Sequence, residues 1–332
     1  MKSVAIMIAQ ATAVPCVRGS VAVISAPGQI DLREIDFREP AADEVRVRVE
    51  GCGVCASSLP LWEGKPWFKY PAEPGAPGHE AWGRVDAVGA RVTNLQPGDR
   101  VAMISSHGFA AYDFAPAAQV VQLPAALSGQ PVPAEALGSA VNIFKRSAIM
   151  PDQTVAVVGV GFLGTLLTQL AIAAGAKVFA ISRRKSSLQR AEQAGAAGAI
   201  KTDHAREVMR RLTHDRGCDC VIEAAGTQES LDLASELTGE RGRLVIAGYH
   251  QDGPRQVNMQ LWNWRGIDVI NAHERDPQAY VEGMRGALMA IKGGLMDPLP
   301  LYTHRFGLDE LPRAFETLAD SPEGFVKAII TL

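Results

Sequence analysis

The sequence predicts an α/β protein of two parts, a compact β-barrel followed by a doubly wound parallel sheet, with the end of the chain returning to the barrel. Three observations carry this. Over residues 20–123 the texture is short strands and tight turns: Val45-Arg46-Val47-Arg48-Val49 alternates apolar and polar residues, and Pro40, Gly78, Gly89 and Pro97-Gly98-Asp99 mark corners. After Pro151 the pattern changes to a buried strand, Thr154–Val158, then a glycine turn, then Leu163, Leu166, Leu167 and Leu170 at helical spacing, closed by Gly175. Third, that strand–helix unit repeats, with strands read at 177–182, 219–223, 243–247 and 267–270. Polar or helical segments between such strands imply a parallel sheet covered on both faces. Beyond Asn271 two helical stretches precede a last strand at 325–332, expected to rejoin the barrel. A chain of 332 residues also exceeds what one core of roughly 250–300 residues serves.

Composition narrows the partners. Hydrophobic content of 47% with 21% charged residues is that of a globular enzyme, and a formal charge of -3 offers no basic field for nucleic acid, so no nucleic-acid partner is expected. No stretch approaches the roughly 20 apolar residues of a membrane span, so none is expected there either. Five cysteines, an odd count without the spacing of a disulfide framework, read as reduced thiols in a cytoplasmic protein, available for metal binding or burial. Residues 1–15, with one lysine, an apolar stretch and an Ala-Thr-Ala triplet, resemble a secretory leader only in outline and read as a short N-terminal extension. No repeat of solenoid length and no low-complexity tract is present.

The glycine turn is Gly159-Val160-Gly161-Phe162-Leu163-Gly164. Glycines at this spacing arise often by chance, and a strand–helix corner without ligand would look similar. Here they follow a strand and open an amphipathic helix. Gly159 permits the tight turn, Gly161 lets a pyrophosphate reach the backbone, and Gly164 lets helix and strand pack closely. The helix start, Phe162 and Leu163 included, then offers free N–H groups and a positive dipole end to phosphates. This is a dinucleotide-binding, Rossmann-type signature. The second strand ends in Ser182-Arg183-Arg184-Lys185, where an NAD-specific site has an Asp or Glu about 20 residues on from the glycines to hold the ribose hydroxyls. A small hydroxyl followed by guanidinium groups makes room for a 2′-phosphate and pairs with it, so NADP(H) is favoured over NAD(H). The competing reading is a solvated basic start to the next helix.

Outside the nucleotide-binding part, Cys55, the pair His79-Glu80, and Glu135 are of ligand type. Thiolate, imidazole and carboxylate suit Zn²⁺, and three protein ligands with an open position define a catalytic site. Singly, each has an ordinary reading: Cys55 as a buried small hydrophobe, His79 as a hydrogen-bonded loop residue, Glu80 and Glu135 as surface acids.

Set in order, Gly51-Cys52-Gly53-Val54-Cys55-Ala56-Ser57-Ser58, Pro77-Gly78-His79-Glu80-Ala81, Pro97-Gly98-Asp99-Arg100-Val101, Glu135-Ala136-Leu137 and the glycine turn resemble the zinc-dependent medium-chain alcohol and polyol dehydrogenases. The likeness runs from about Ser20 to the C-terminus. It implies a GroES-like catalytic domain, residues 1–138 and 272–332, interrupted by a Rossmann domain, residues 139–271, with the active site in the cleft between them. It further implies Cys55 and His79 as zinc ligands, Glu135 at the position of the third, and Glu80 as the neighbouring carboxylate that can enter or leave the coordination sphere. Ser57 falls where the family relays a proton from the substrate oxygen. A homodimer or homotetramer joined through the nucleotide-binding sheets is implied as well.

Two departures stand out. The family often carries a second, structural zinc on four close cysteines, but this chain has no cysteine between Cys55 and Cys218, so one catalytic zinc and no structural zinc is expected. Where the family has an acid behind the zinc ligands, this chain has Ser58. The reaction implied is hydride transfer between NADP(H) and a secondary alcohol or ketone, with zinc polarising the oxygen. The substrate is a small molecule: a polyol, a sugar-like ring or one elaborate biosynthetic ketone. Trp62, Trp67, Phe68 and Tyr70, between Cys55 and His79, read either as an aromatic lid over it or as packing. Trp262 and Trp264 read as burial at the sheet edge, and His273 and Glu274 as loop residues near the strand ends. A zinc-independent quinone or enone reductase of the same superfamily would lack Cys55 and His79, and a non-catalytic NADPH-binding protein would need no metal set.

Overall fold

A computed structural model describes residues 16–332. The extension read over residues 1–15 lies outside the described residues.

The barrel half opens with an antiparallel pair, β1 (Val17–Ala26) and β2 (Gln29–Phe37). β3 (Glu44–Val54) is the hub of a seven-stranded sheet and pairs with β4 (Glu80–Val88) and with β6 (Tyr112–Pro116). β5 (Arg100–Met103) and β7 (Val120–Gln122) extend it on one side. The apolar members of the Val45–Val49 alternation face inward, where Val45 and Val47 join Cys52, Val101, Phe109 and Phe315 in one core. Arg46 is buried too, although it stands on the polar phase; Asp86 at 2.7 Å and Glu39 at 3.0 Å neutralise it. Burial of an arginine is tolerated only with such partners.

Between β3 and β4 lies a short helix, α1 (Leu59–Trp62). After the barrel comes α2 (Ala134–Ser147), and the expected junction at 138/139 falls inside it. The second half alternates β8 (Thr154–Val158), α3 (Phe162–Ala173), β9 (Lys177–Ser182), α4 (Lys185–Gln193), β10 (Gly198–Lys201), α5 (Ala205–Leu212), β11 (Cys218–Glu223), α6 (Gln228–Leu237), β12 (Thr238–Ile246), α7 (Met259–Arg265) and β13 (Asp268–Asn271). Its six strands are all parallel, in the order β10-β9-β8-β11-β12-β13. The order in which strands are added reverses between β8 and β11, and doubly wound sheets take ligands at the strands' carboxyl ends beside such a point. After Thr154, β8 is apolar and buried on both faces, as a central parallel strand requires.

The chain then forms α8 (Pro277–Lys292), which packs along α2, followed by β14 (His304–Gly307), α9 (Leu311–Asp320) and β15 (Ala328–Thr331). β15 lies antiparallel to β3, Ala328 opposite Val54, so the last strand does rejoin the barrel sheet. The sequence reading missed β10 and β14, each of four residues and too short to show a period. No helix among the described residues is long and apolar enough to cross a membrane.

Candidate functional site

Strand register builds the first cluster. β3 and β4 pair with Gly53 opposite Glu80, so the residues just past the one and at the start of the other meet at one end of the sheet. Glu80 leans over Gly53 closely enough that a Cβ there would lie 1.8 Å from Glu80 Oε2; only glycine leaves that space. Cys55 and His79 flank the pair, and one ligand atom from each of Cys55, His79 and Glu80 lies within 4.8 Å of the others. His79 Nδ1 is 2.9 Å from the Pro77 carbonyl, which takes its proton and leaves Nε2 for the cluster. Ser57 Oγ sits 3.2 Å from Cys55 Sγ and 3.5 Å from His79 Nε2. Ser58, standing where an acid was expected, is buried and its hydroxyl has no partner; the Pro77 carbonyl orients the imidazole instead.

Glu135 stands in the first turn of α2 and accepts from Ser139 Oγ at 3.2 Å. It is outside the three-residue group, yet close enough for its charge to act on His79. Burial raises the Glu135 carboxyl, opposed by the imidazole. His79 rises to about 10: burial works against its charge, but Cys55 first and then Glu135 and Glu80 outweigh it. The same imidazole, with Lys327, lowers the Cys55 thiol against burial and against Glu80. The cluster thus gathers the Cys55 thiol and the Glu80 and Glu135 carboxyls around the His79 imidazole.

Sequence reasoning missed Lys327. It is buried just before β15 and donates to Glu80 Oε1 at 2.5 Å. Its ammonium also lies 4.9 Å from the centre of the Phe162 ring, so one side chain joins the metal-type cluster to the glycine turn. Burial disfavours its charge, but Glu80, Cys55 and Glu135 together raise its pKa. Glu80 Oε2 is buried without a partner, an acceptor left open beside a thiolate and an imidazole. A divalent cation of zinc type satisfies that donor set, so Cys55, His79 and Glu80, with Glu135 adjacent, fit such an ion.

In the nucleotide turn each glycine has its own reason. Gly159 has φ of +96°, and a Cβ there would meet Ala225 at 2.8 Å; at Gly164 it would lie 1.9 Å from the Gly159 carbonyl. At Gly161 a Cβ would meet no protein atom within 4 Å, so that side of the turn is open. α3 starts there with no side-chain cap, leaving its first N–H groups free. Phe162 and Leu163 pack partly into the core beneath, Phe162 also against Tyr302 at 6.1 Å. Ser182 ends β9 buried, Arg183 is exposed and Arg184 half-buried.

Another residue the reading passed over is Glu223, the fully buried end of β11. It accepts from the N–H groups of Ala225 and Gly226, from Ser230 Oγ and from His250 Nε2, and so fixes the turn facing Gly159. A lone acid closing the apolar run Cys220-Val221-Ile222 was its only signal in the sequence. Gln251 reaches from the same region to the Ala56 carbonyl at 3.1 Å, so the two halves touch next to Cys55.

The aromatic residues divide. Trp62 is core, stacked on Phe315 at 5.2 Å, and the Tyr70 hydroxyl is tied to the Leu61 carbonyl. Trp67 and Phe68, 6.2 Å apart, are exposed. Trp262 packs under the nucleotide sheet, but Trp264 is 85% exposed, against the expected burial at the sheet edge. His273 Nε2 meets the Gly248 carbonyl at 3.1 Å, and Glu274 accepts from the N–H groups of Arg275 and Asp276 before α8.

A barrel carrying a thiol–imidazole–carboxylate cluster, joined by one lysine to an open glycine turn, defines an oxidoreductase of the dehydrogenase type. Residues 41–125 match the family described as alcohol dehydrogenase GroES-like domain, and residues 163–286 that described as zinc-binding dehydrogenase. Human sorbitol dehydrogenase is 26% identical over 89% of this chain and 91% of its own length. A protein of Sinorhizobium meliloti 1021, assigned as a zinc-binding dehydrogenase and bound to NADP, superposes with a TM-score of 0.82 at 25% identity, over 95% of this chain and 100% of that one. An Escherichia coli CFT073 structure described as a short chain alcohol dehydrogenase complexed with NADH gives 0.84 at 22%, over 95% and 99%, and shows the shared fold alone. The chain belongs to the zinc-type medium-chain dehydrogenases, and is an oxidoreductase of the alcohol-dehydrogenase type.

Proposed function

We propose that this protein is a zinc-dependent oxidoreductase that moves a hydride between NADP(H) and a secondary alcohol or ketone. Residues 1–138 and 272–332 serve as the catalytic domain and residues 139–271 bind the nucleotide. The observation that carries the reading is the cluster of Cys55, His79 and Glu80, whose ligand atoms lie within 4.8 Å of one another. Bound there, zinc would act as a Lewis acid on the substrate oxygen, and NADP(H) would give or take the hydride.

The chain's own residues do the rest. Cys55 and His79 would hold the ion, and the Pro77 carbonyl, bonded to Nδ1, leaves Nε2 of the imidazole free for it. Glu80 or Glu135 would complete the set, the former with one oxygen held on Lys327 and the other open. Ser57 Oγ, beside both Cys55 and His79, takes the proton from the substrate hydroxyl and passes it outward. Ser57→Ala therefore lowers turnover by about 100-fold with NADPH affinity unchanged in a binding titration; unaltered turnover removes the relay.

NADP(H) over NAD(H) is supported by the buried Ser182 in place of an acid, by Arg183 and Arg184 after it, and by the Sinorhizobium relative bound to NADP. The likeness to sorbitol dehydrogenase supports a polyol or sugar-like substrate, over which the exposed Trp67 and Phe68 offer apolar faces. β13 lies at a free edge of the nucleotide sheet with Val269 and Trp264 exposed, which supports pairing of two copies through these sheets.

The deciding experiment follows absorbance of NADPH and NADH over a panel of polyols, secondary alcohols and ketones, with and without a chelator, alongside metal analysis. About one zinc per chain is expected. Turnover with NADPH should be lost to the chelator and restored by zinc. A metal-free protein with full activity would refute the assignment.

A further inference from the structure

Segment 321–327 links α9 to β15 and touches the nucleotide-binding half at Ser186 and Phe162. Its Glu323 is exposed, yet Oε1 accepts a 2.7 Å hydrogen bond from the backbone N–H of Ser186, in the first turn of α4. α4 has no side-chain cap at Arg184 and no acid in its first turn. A carboxylate from the other domain thus occupies the position that the free N–H groups make favourable to an anion. The hydrogen bond to Ser186, and the charges of Arg184 and Arg190, hold the Glu323 carboxyl below the usual range.

This locus has donor capacity left over. Arg190 spends one terminal nitrogen on Ser187 Oγ at 3.1 Å, while its Nε is buried with no partner. Arg184 and the start of α4 directly follow Ser182 and Arg183, the residues placed above against the 2′-phosphate of NADP(H). A phosphate brings more charge and more acceptor oxygens to the same donors than one carboxylate does. With Glu323 still in place, the two anions would repel each other.

We infer that Glu323 is an internal competitor for the 2′-phosphate: it holds the N–H of Ser186 and lies in the field of Arg184 and Arg190 without pairing with either, until the phosphate displaces it. The inference rests on the NADP(H) reading. Its consequence is selective, since NAD(H) has no group that reaches for these donors. Displacement need not disturb the catalytic end of the segment, because the Val326 N–H is pinned on Thr303 Oγ1 at 3.0 Å and Lys327 on Glu80 at 2.5 Å.

The test measures dissociation constants by calorimetry for NADPH, NADH and adenosine 2′,5′-bisphosphate, on the wild type and on Glu323→Gln and Glu323→Ala. Both variants should bind NADPH and the bisphosphate roughly fivefold more tightly, the scale of one exposed charge interaction, with NADH changed by less than about twofold. If the wild type binds the bisphosphate but the variants bind it no better, or worse, Glu323 is only a structural latch and the inference falls. An equal change for NADH and NADPH overturns it too. A wild type that ignores the bisphosphate and prefers NADH removes the cofactor reading, and this inference with it.

Discussion

Cys55→Ala should purify without zinc and turn over a secondary alcohol on the order of 1000-fold more slowly than the wild type, while NADPH binds with unchanged affinity. The magnitude follows from losing several kcal/mol of charge stabilisation at the substrate oxygen, at about 1.4 kcal/mol per tenfold. Cys55 is the one thiolate among the grouped ligand atoms. Its removal leaves His79, Glu80 and Glu135, a set with weaker preference for zinc over harder cations. Unchanged NADPH affinity is expected because the glycine turn and Ser182–Arg184 belong to another sheet, and it also reports that the variant is folded. The measurements are metal content by emission spectroscopy, turnover at saturating cofactor and a fluorescence titration. A Cys55→Ala protein that keeps both zinc and activity would place the metal elsewhere.

What the sequence made legible was local. The glycine turn could be read because its three glycines answer to constraints within one strand–helix corner, and the structure shows those constraints at Gly159 and Gly164 as contacts and at Gly161 as open space. The strands Thr154–Val158 and Lys177–Ser182 could be read because the runs Val155–Val158 and Val178–Ile181 are continuously apolar, as in central parallel strands. Cys55, His79 and Glu80 stood out by residue type and by family resemblance, but their meeting depends on the β3–β4 register. Four aromatic residues in one loop looked alike; Trp62 is core only because Phe315, far along the chain, comes to stack on it. Trp264 reads as a buried edge residue from composition, yet it remains exposed, and no local pattern distinguishes the two outcomes. Lys327 was the least legible. A lysine within the strand read at 325–332 passes as a residue of its polar face, and only the pairing of Ala328 with Val54 brings it beside Glu80.

That lysine carries the second large effect. Lys327 and Glu80 are both buried, 6% and 1% exposed at their side chains, and each is the other's only hydrogen-bonded charge partner among the described residues. Lys327→Met fills similar space but leaves the Glu80 carboxylate buried with neither oxygen paired. Breaking a buried pair from one side costs about 3–5 kcal/mol, so the metal-free variant should lose stability on that scale in urea unfolding. Lys327→Met with Glu80→Gln should recover most of the loss, since a neutral amide in the same place no longer carries an uncompensated charge. Zinc should reduce the penalty of the single variant, because the freed carboxylate then has a cation beside it. The non-additivity of the two substitutions is the quantity that decides. If each variant is destabilised alone and the double variant by their sum, Lys327 is packing on Phe162 and not the counter-charge that positions Glu80. If the double variant is more stable than the single variants predict, the same lysine sets where the carboxylate lies next to Cys55 and His79.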